Sequence, residues 1–390
     1  MSQQRPVLTI IVTAQFCCTS LWFASNAVMG ALLLDFGLES TALGHLTTAV
    51  QVGFIVGTLM FALFAVSDRV SPSKLFLICA IVGSTLNLCI LLPENNLSSL
   101  VASRSLVGFS LAGIYPVGMK IAADYFEKGL GKSLGFLVGA LVLGTAFPHF
   151  ISAFTTGLAW KSVIIGTSAL AAIGGLMLWI LVPDGPYRKA SQKLDLSAIF
   201  KIFQKPTFRT AAQGYFGHMW ELYAFWAFVP AMLTIYATLH NYPSISDRSA
   251  VWSFLIIGIG GIGCVASGMF SEKWGNKRMA SISLASSGIC CLISPFLFMT
   301  SPAIFLGFLL FWGLTVVADS PIFSTMVAQN APLQYKGTAL TIVNSMGYAI
   351  SIFSIQLLNH LILTYDARYI FVFMAIGPAA GLWKQWIRRR

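Results

Sequence analysis

The chain is predicted to be an all-α membrane protein with about twelve transmembrane helices in two pseudo-symmetric six-helix bundles. Three observations predict it. Of its 390 residues, 57% are hydrophobic and 9% charged, whereas soluble domains carry about 25% charged residues. Apolar stretches long enough to cross a bilayer recur along the whole chain, and each must be a helix because backbone groups cannot stay unpaired in hydrocarbon. Landmark residues also repeat at one fixed offset between the two halves.

In chain order the spans fall near 8–33, 44–66, 74–93, 99–121, 134–155, 162–182, 211–236, 249–270, 279–298, 303–326, 338–361 and 369–384. The first is expected to be retained, because it lacks a small-residue cleavage pattern and its apolar run from Val7 to Leu34 is too long for a signal peptide. The charge-free run 279–318 is divided at Thr300, Ser301 and Pro302, since one helix of that length would overshoot the bilayer. The longest polar connection is Pro183–Thr210, whose stretch Leu194–Phe203 is amphipathic and suited to lie on a membrane surface. The predicted organisation is a bundle at 1–182, a cytoplasmic linker at 183–210 and a second bundle at 211–390.

Twelve spans put both termini on one side, and that side collects 20 of the 24 Lys and Arg, against 3 on the other. The positive-inside rule then puts both termini in the cytoplasm. The net charge of +11 therefore orients the chain rather than binding nucleic acid. All seven Cys lie in apolar runs without zinc or paired-loop spacing and read as packing residues. No Gly-x-x-x-x-Gly-Lys-Ser/Thr occurs. An ion or solute gradient, not a nucleotide, is the expected energy source, and no enzymatic activity, cofactor or metal is expected. A monomer is expected, with the bilayer, a small solute and protons or another coupling ion as its partners.

The repeat shows in two pairs of landmarks. Asp68-Arg69 and Glu272-Lys273 are 204 residues apart, and Tyr115-Pro116 and Ser320-Pro321 are 205 apart. Internal repeats with interrupted helices in matching places are a common way to build alternating access.

These features resemble the major facilitator superfamily across essentially the whole chain. Its loop signature, Gly-x-x-x-Asp-(Arg/Lys)-x-Gly followed by basic residues, is matched after the eighth span by Gly268, Glu272, Lys273, Gly275, Lys277 and Arg278. After the second span Asp68 and Arg69 match, while Phe64 and Ser71 replace the glycines. Arg104-x-x-x-Gly108 looks like the family's membrane-embedded arginine motif. Gly214–Tyr223 and Ala318–Phe323 resemble a bacterial permease subgroup often labelled nitrate/nitrite-type. Nitrate carriers of the family place an arginine in both the second and the eighth span, and neither span has one here. Gly135 and Gly144 fit the drug-antiporter motif of the fifth span, but Pro148-His149 stands where Gly-Pro is expected. The resemblance implies that spans one, four, seven and ten line a central cavity. It also implies that Asp68, Arg69, Gly268, Glu272, Lys273 and Gly275 form a cytoplasmic gate.

Ionisable groups at bilayer depth are expensive, which makes each a functional suspect. Arg104, His149, His218, Glu221 and Asp319 qualify, with His45, Lys120 and His360 near the interfaces. Glu221 and His218 are three apart on one helix face. With Asp319 they read as a proton-coupling cluster, provided they edge a wet passage; the alternative is that the carboxylates cap backbone groups or clamp a neighbouring helix. Arg104 reads as an anion grip or as a lock between helices. Trp22, Asn26, Gln51, Tyr115, Trp220, Tyr223, Trp312 and Asn344 are the remaining candidates to contact substrate, though aromatic residues in apolar helices commonly only pack. Glycines 258, 260, 261, 263 and 268 leave the eighth span thin enough for close helix approach. The leading expectation is a proton-linked permease for a small polar or anionic solute, working by rocking of two halves. A multidrug or metabolite exporter is the alternative, and a non-transporting membrane sensor the third.

Overall fold

The structure, a computed structural model, describes residues 4–126, 130–154, 160–188, 198–332 and 335–387. Among the described residues it is helical, without a strand. Ten helices among the described residues are long and apolar enough to cross a membrane, running from Ala42–Leu63 to Lys336–Thr364. The shorter apolar helices Pro6–Thr19 and Asn26–Asp35 make up the first span, and Ala367–Trp383 makes up the last. The architecture is that of about twelve transmembrane helices. The chain divides into two compact units, Met1–Leu196 and Ser197–Arg390. In the predicted surface helix, Leu194–Ser197 lie outside the described residues, and helix continues over Ala198–Gln204.

Several spans are less regular than the apolar pattern suggests. The first is helical over Gln4–Thr19, loosens into turns, and resumes as a 3-10 turn at Asn26–Val28 and a helix at Met29–Asp35. Hydroxyls start the loosening by reaching back to the backbone: Thr19 Oγ1 donates to Gln15 O at 2.8 Å and Ser20 Oγ to Cys17 O at 2.7 Å. The fourth span breaks between Leu97–Ala112 and Tyr115–Tyr125, and the tenth between Pro302–Val316 and Ser320–Asn330. Pro116 and Pro321 stand just inside the second pieces, where a missing N–H is tolerated. At the tenth-span break the eighth span donates to two carbonyls, Cys264 Sγ to Val317 O at 3.4 Å, which also accepts the Ser320 N–H at 3.1 Å, and Ser267 Oγ to Ala318 O. The seventh span, by contrast, is one helix, Pro206–His240, and carries Pro230 inside it.

Glycine sets the closest helix pairs in each unit. A Cβ on Gly108 would lie 1.9 Å from Val50 O, and one on Gly53 would lie 1.7 Å from Ser105 O. The second and fourth spans therefore touch backbone to backbone. In the other unit a Cβ on Gly313 would lie 1.9 Å from Ile256 O, and one on Gly263 would lie 2.2 Å from Leu314 O. The eighth and tenth spans pair the same way. Gly263 is thus the close-approach glycine expected of the eighth span, while Gly268 has open space around it.

Candidate functional site

In the first unit the polar centre is Arg104, fully buried on the fourth span. The broken first span explains how a guanidinium is tolerated there. Leu21 N–H bonds back to Cys18 O at 3.3 Å and Trp22 N–H to Thr19 O at 3.0 Å, and a longer step resumes with Ala27 N–H to Phe23 O at 3.1 Å. The carbonyls of Leu21 and Trp22 fall in that gap. Arg104 Nη2 donates to both, at 2.7 and 2.8 Å. Its Nη1 donates to Asn87 Oδ1 at 2.8 Å, and Asn87 Nδ2 ties on to Thr167 Oγ1 and Ser168 Oγ of the sixth span at 3.2 and 3.0 Å. Four spans are joined through one cation held by neutral oxygens. Arg104 Nε has no partner among the described residues.

Around this centre, Trp22 packs on Phe54 with ring centroids 4.9 Å apart. Asn26 Nδ2 donates to Thr47 Oγ1 at 2.8 Å. Gln51 and Tyr115 are buried. His149, which the sequence marks as a suspect without a role, is buried on the fifth span, and its Nε2 has no partner among the described residues.

In the second unit the polar centre is acidic. Glu221 is fully buried and accepts three hydrogen bonds: from Trp312 Nε1 at 2.7 Å, Ser287 Oγ at 2.8 Å and Cys291 Sγ at 3.3 Å. Those donors sit on the ninth and tenth spans, so Glu221 ties the seventh span to both. Of the three residues expected to cluster, His218 and Asp319 stand together, while Glu221 is held by its own three donors. His218 does not bond Glu221; its Nδ1 lies 2.7 Å from Asp319 Oδ1, at an angle that closes no ideal hydrogen bond. His218 Nε2 and Asp319 Oδ2 have no partner among the described residues. Asp319 stands at the break of the tenth span, where its carbonyl accepts the N–H of Phe323 at 2.9 Å.

The other expected contacts are distributed. Tyr223 and Tyr348 share a 2.8 Å hydrogen bond between hydroxyls, and Trp220 Nε1 donates to Phe373 O at 3.2 Å. Trp312 touches Glu221 rather than standing free, and Asn344 is half-buried on the eleventh span. Of the loop motif, Arg69, Glu272 and Lys273 are exposed and make no ion pair among the described residues. Gly275 ends its helix with φ +82°, a value that favours glycine. The side chain of Asp68 lies outside the described residues.

Sequence reasoning missed Ser287, Cys291, Asn87 and Tyr348. Cysteine was expected only to fill space, yet Cys18, Cys264 and Cys291 each donate a hydrogen bond. Ser287 and Cys291 did leave one signal, since they are four apart on a charge-free helix and so share a face.

Comparison with known proteins agrees with this architecture. Among curated proteins the chain is 24% identical over 298 residues to a gallate transporter of Pseudomonas putida, covering 68% of this chain and 66% of that protein. It is 25% identical over 230 residues to a nitrate/nitrite transporter of Picosynechococcus, covering 50% and 41%. The chain thus spans just under two thirds of the first and well under half of the second. Among solved structures, the fold matches a proton:xylose symporter with a TM-score of 0.75 at 13% identity, covering 98% of this chain and 96% of that one. The human organic anion transporter MFSD10 matches with a TM-score of 0.76 at 15% identity, covering 97% and 99%. Residues 11–355 match the family model described as Major Facilitator Superfamily, and the chain belongs to that family.

Proposed function

We propose that the chain is a secondary active transporter that couples a small anionic solute to protons by alternating access, in a bacterial inner membrane with both termini in the cytoplasm. One observation carries the reading. Among the described residues a buried cation in the first unit has only neutral oxygens for partners, and a buried carboxylate in the second stands beside an imidazole. Arg104 stays charged at any depth and attracts an anion. Asp319 and His218, 2.7 Å apart with an open edge on each group, can take up and release a proton between them. Glu221, already held by three donors, acts as a clamp whose grip depends on its ionisation. The curated relatives named for gallate and nitrate/nitrite carry anions, which supports the solute class.

The test is transport by the purified chain in proteoliposomes, with labelled gallate and nitrate offered in turn under an imposed pH gradient. Accumulation should follow the gradient. Asp319→Asn should abolish accumulation while leaving solute exchange, because a neutral side chain cannot release a proton but leaves the anion grip intact. Accumulation that ignores the gradient, or survives in Asp319→Asn at the original rate, overturns the coupling. Loading from the opposite face would assign export instead of uptake.

A further inference from the structure

We propose that Ser25, Asn26, Thr145 and His149 form a hydroxyl-binding wall beside Arg104, so that the solute is a small carboxylate bearing hydroxyl groups. This rests on the anion-transport reading above and narrows its substrate class. All four side chains are at least nine-tenths buried. Ser25 Oγ, Asn26 Oδ1, Thr145 Oγ1 and His149 Nε2 have no hydrogen-bond partner among the described residues, and neither does Arg104 Nε. Unmet buried polar groups weaken the fold; Gln15, Thr58 and Ser162 of the same unit carry others, so it is the common placement of these five that marks a site.

Their placement is common. Ser25 and Asn26 close the same gap in the first span whose carbonyls Arg104 holds. The fifth span, Leu130–Phe154, packs against the first at Gly144, where a Cβ would meet Thr19 Oγ1 at 2.1 Å. Both spans cross the bundle in the same direction, so His149, five residues past Gly144, lies about 7.5 Å further on, level with the gap. That helix also packs against Asn26–Val28. Thr145 and His149 are four apart and share its face.

The polarity of the wall can be read from its neighbours. The Thr47 hydroxyl donates to Leu43 O at 2.7 Å, so its oxygen can only accept from Asn26. The Asn26 amide must therefore present Nδ2 to Thr47 and keep Oδ1 as a free acceptor. An acceptor needs a donor from the solute. A bare inorganic anion satisfies Arg104 Nε but offers nothing to Asn26 Oδ1, whereas a hydroxylated carboxylate offers both an anion and donors. Sites built this way reject analogues that lack the hydroxyl, because their own groups are then left unmet.

The experiment measures binding to the purified full chain by calorimetry and thermal shift, using two probe series and nitrate. One series is benzoate with zero to three ring hydroxyls; the other is propionate, lactate and glycerate. Affinity should rise with hydroxyl number in at least one series. Thr145→Val and His149→Gln should each weaken the most hydroxylated member by on the order of tenfold and leave its parent unchanged. Without ligand, Thr145→Val should melt at the same temperature as the original chain or higher, which separates lost recognition from a damaged fold. A flat response in both series, or unchanged discrimination in both variants, overturns the wall. Nitrate binding alone also overturns it while leaving anion transport standing. If no probe binds, the anion reading falls and takes this inference with it.

Discussion

The two units use the same frame for opposite charges. Each pairs two spans through glycine, Gly53 and Gly108 in the first and Gly263 and Gly313 in the second. Each breaks its fourth helix at a matching place, ahead of Pro116 and Pro321. The difference begins with the leading helix. In the first unit it opens between Thr19 and Asn26 and frees backbone carbonyls, which suit a cation. In the second unit the leading helix runs unbroken from Pro206 to His240. The buried ion there is a carboxylate, and its donors come from side chains, Trp312, Ser287 and Cys291. A repeat thus fixes where a polar centre sits, while local helix continuity decides which sign of charge it can hold.

The largest effect expected from this comparison is on stability. Arg104→Met should cost about 3–5 kcal/mol, because the Leu21 and Trp22 carbonyls and Asn87 Oδ1 lose one shared donor at a fully buried position. Glu221→Gln keeps one acceptor oxygen and should cost less, about 1–3 kcal/mol. Denaturant unfolding of the purified variants measures both. The reverse order would mean that the break in the first span is satisfied without Arg104, and the contrast between the units would fail.

Next comes the donor side of the acidic centre. Trp312→Phe keeps the ring packing on Phe225 and Phe308, whose centroids are 4.8 and 5.4 Å away, but removes the 2.7 Å bond to Glu221. Such a bond contributes about 0.5–1.5 kcal/mol to a neutral acceptor and about 1.5–3 kcal/mol to an ionised one, and that loss should appear in the same unfolding assay. It should vanish in a Glu221→Leu background, where Trp312 has nothing left to bond. A persistent cost there would place Trp312 in another role, such as solute contact.

The shared frame is tested by its glycines. Gly108→Ala and Gly313→Ala each push a methyl to within 1.9 Å of a backbone oxygen, and each should cost about 1–3 kcal/mol. Gly268→Ala meets nothing within 4 Å and should be neutral or stabilising by up to about 1 kcal/mol through helix propensity. Unequal costs at Gly108 and Gly313 would show that the two seams are only superficially alike.

Much of the frame was legible in the sequence because hydrocarbon enforces it: a helix that crosses a bilayer must be apolar for about twenty residues, and that pattern survives any divergence of side chains. Of the site, the residue pattern pointed to the charged members and to neutral candidates such as Asn26 and Trp312, but not to their partners. Spacing puts Glu221 and His218 on one helix face but cannot say which helix each meets, and they turn out to meet different partners. The oxygens that hold Arg104 are mostly backbone, which no residue type announces. Asn26 stands out in the sequence as a candidate, but Ser25 looks like an ordinary polar residue until the helix is seen to open beside it. Cys291 looks apolar, and its thiol becomes a donor only because Glu221 is within 3.3 Å.

The smallest effects belong to the loop acids, and these sharpen the contrast between the units. Asp35 of the first unit accepts from Trp160 Nε1 at 2.5 Å, a bond between residues 125 apart in sequence. Asp366 of the second is bonded by the backbone N–H and guanidinium of Arg368, two residues on. Trp160→Phe should cost about 0.5–1.5 kcal/mol, the range for one partly exposed hydrogen bond that closes a long loop. Asp366→Asn should cost less, since exposed pairs are screened and its partner is already local. Its pH signature is nevertheless specific. The hydrogen bonds from Arg368 hold the Asp366 carboxyl below the usual carboxylate range. Whatever stability it adds is present above the ordinary carboxylate pKa and is lost as pH falls through the lowered value. The original chain and Asp366→Asn should therefore differ slightly at neutral pH and converge in acid. Thermal melts of the two proteins at pH 3 and pH 7 measure this, and a gap for Asp366→Asn that widens in acid would reverse the sign and reject the assignment.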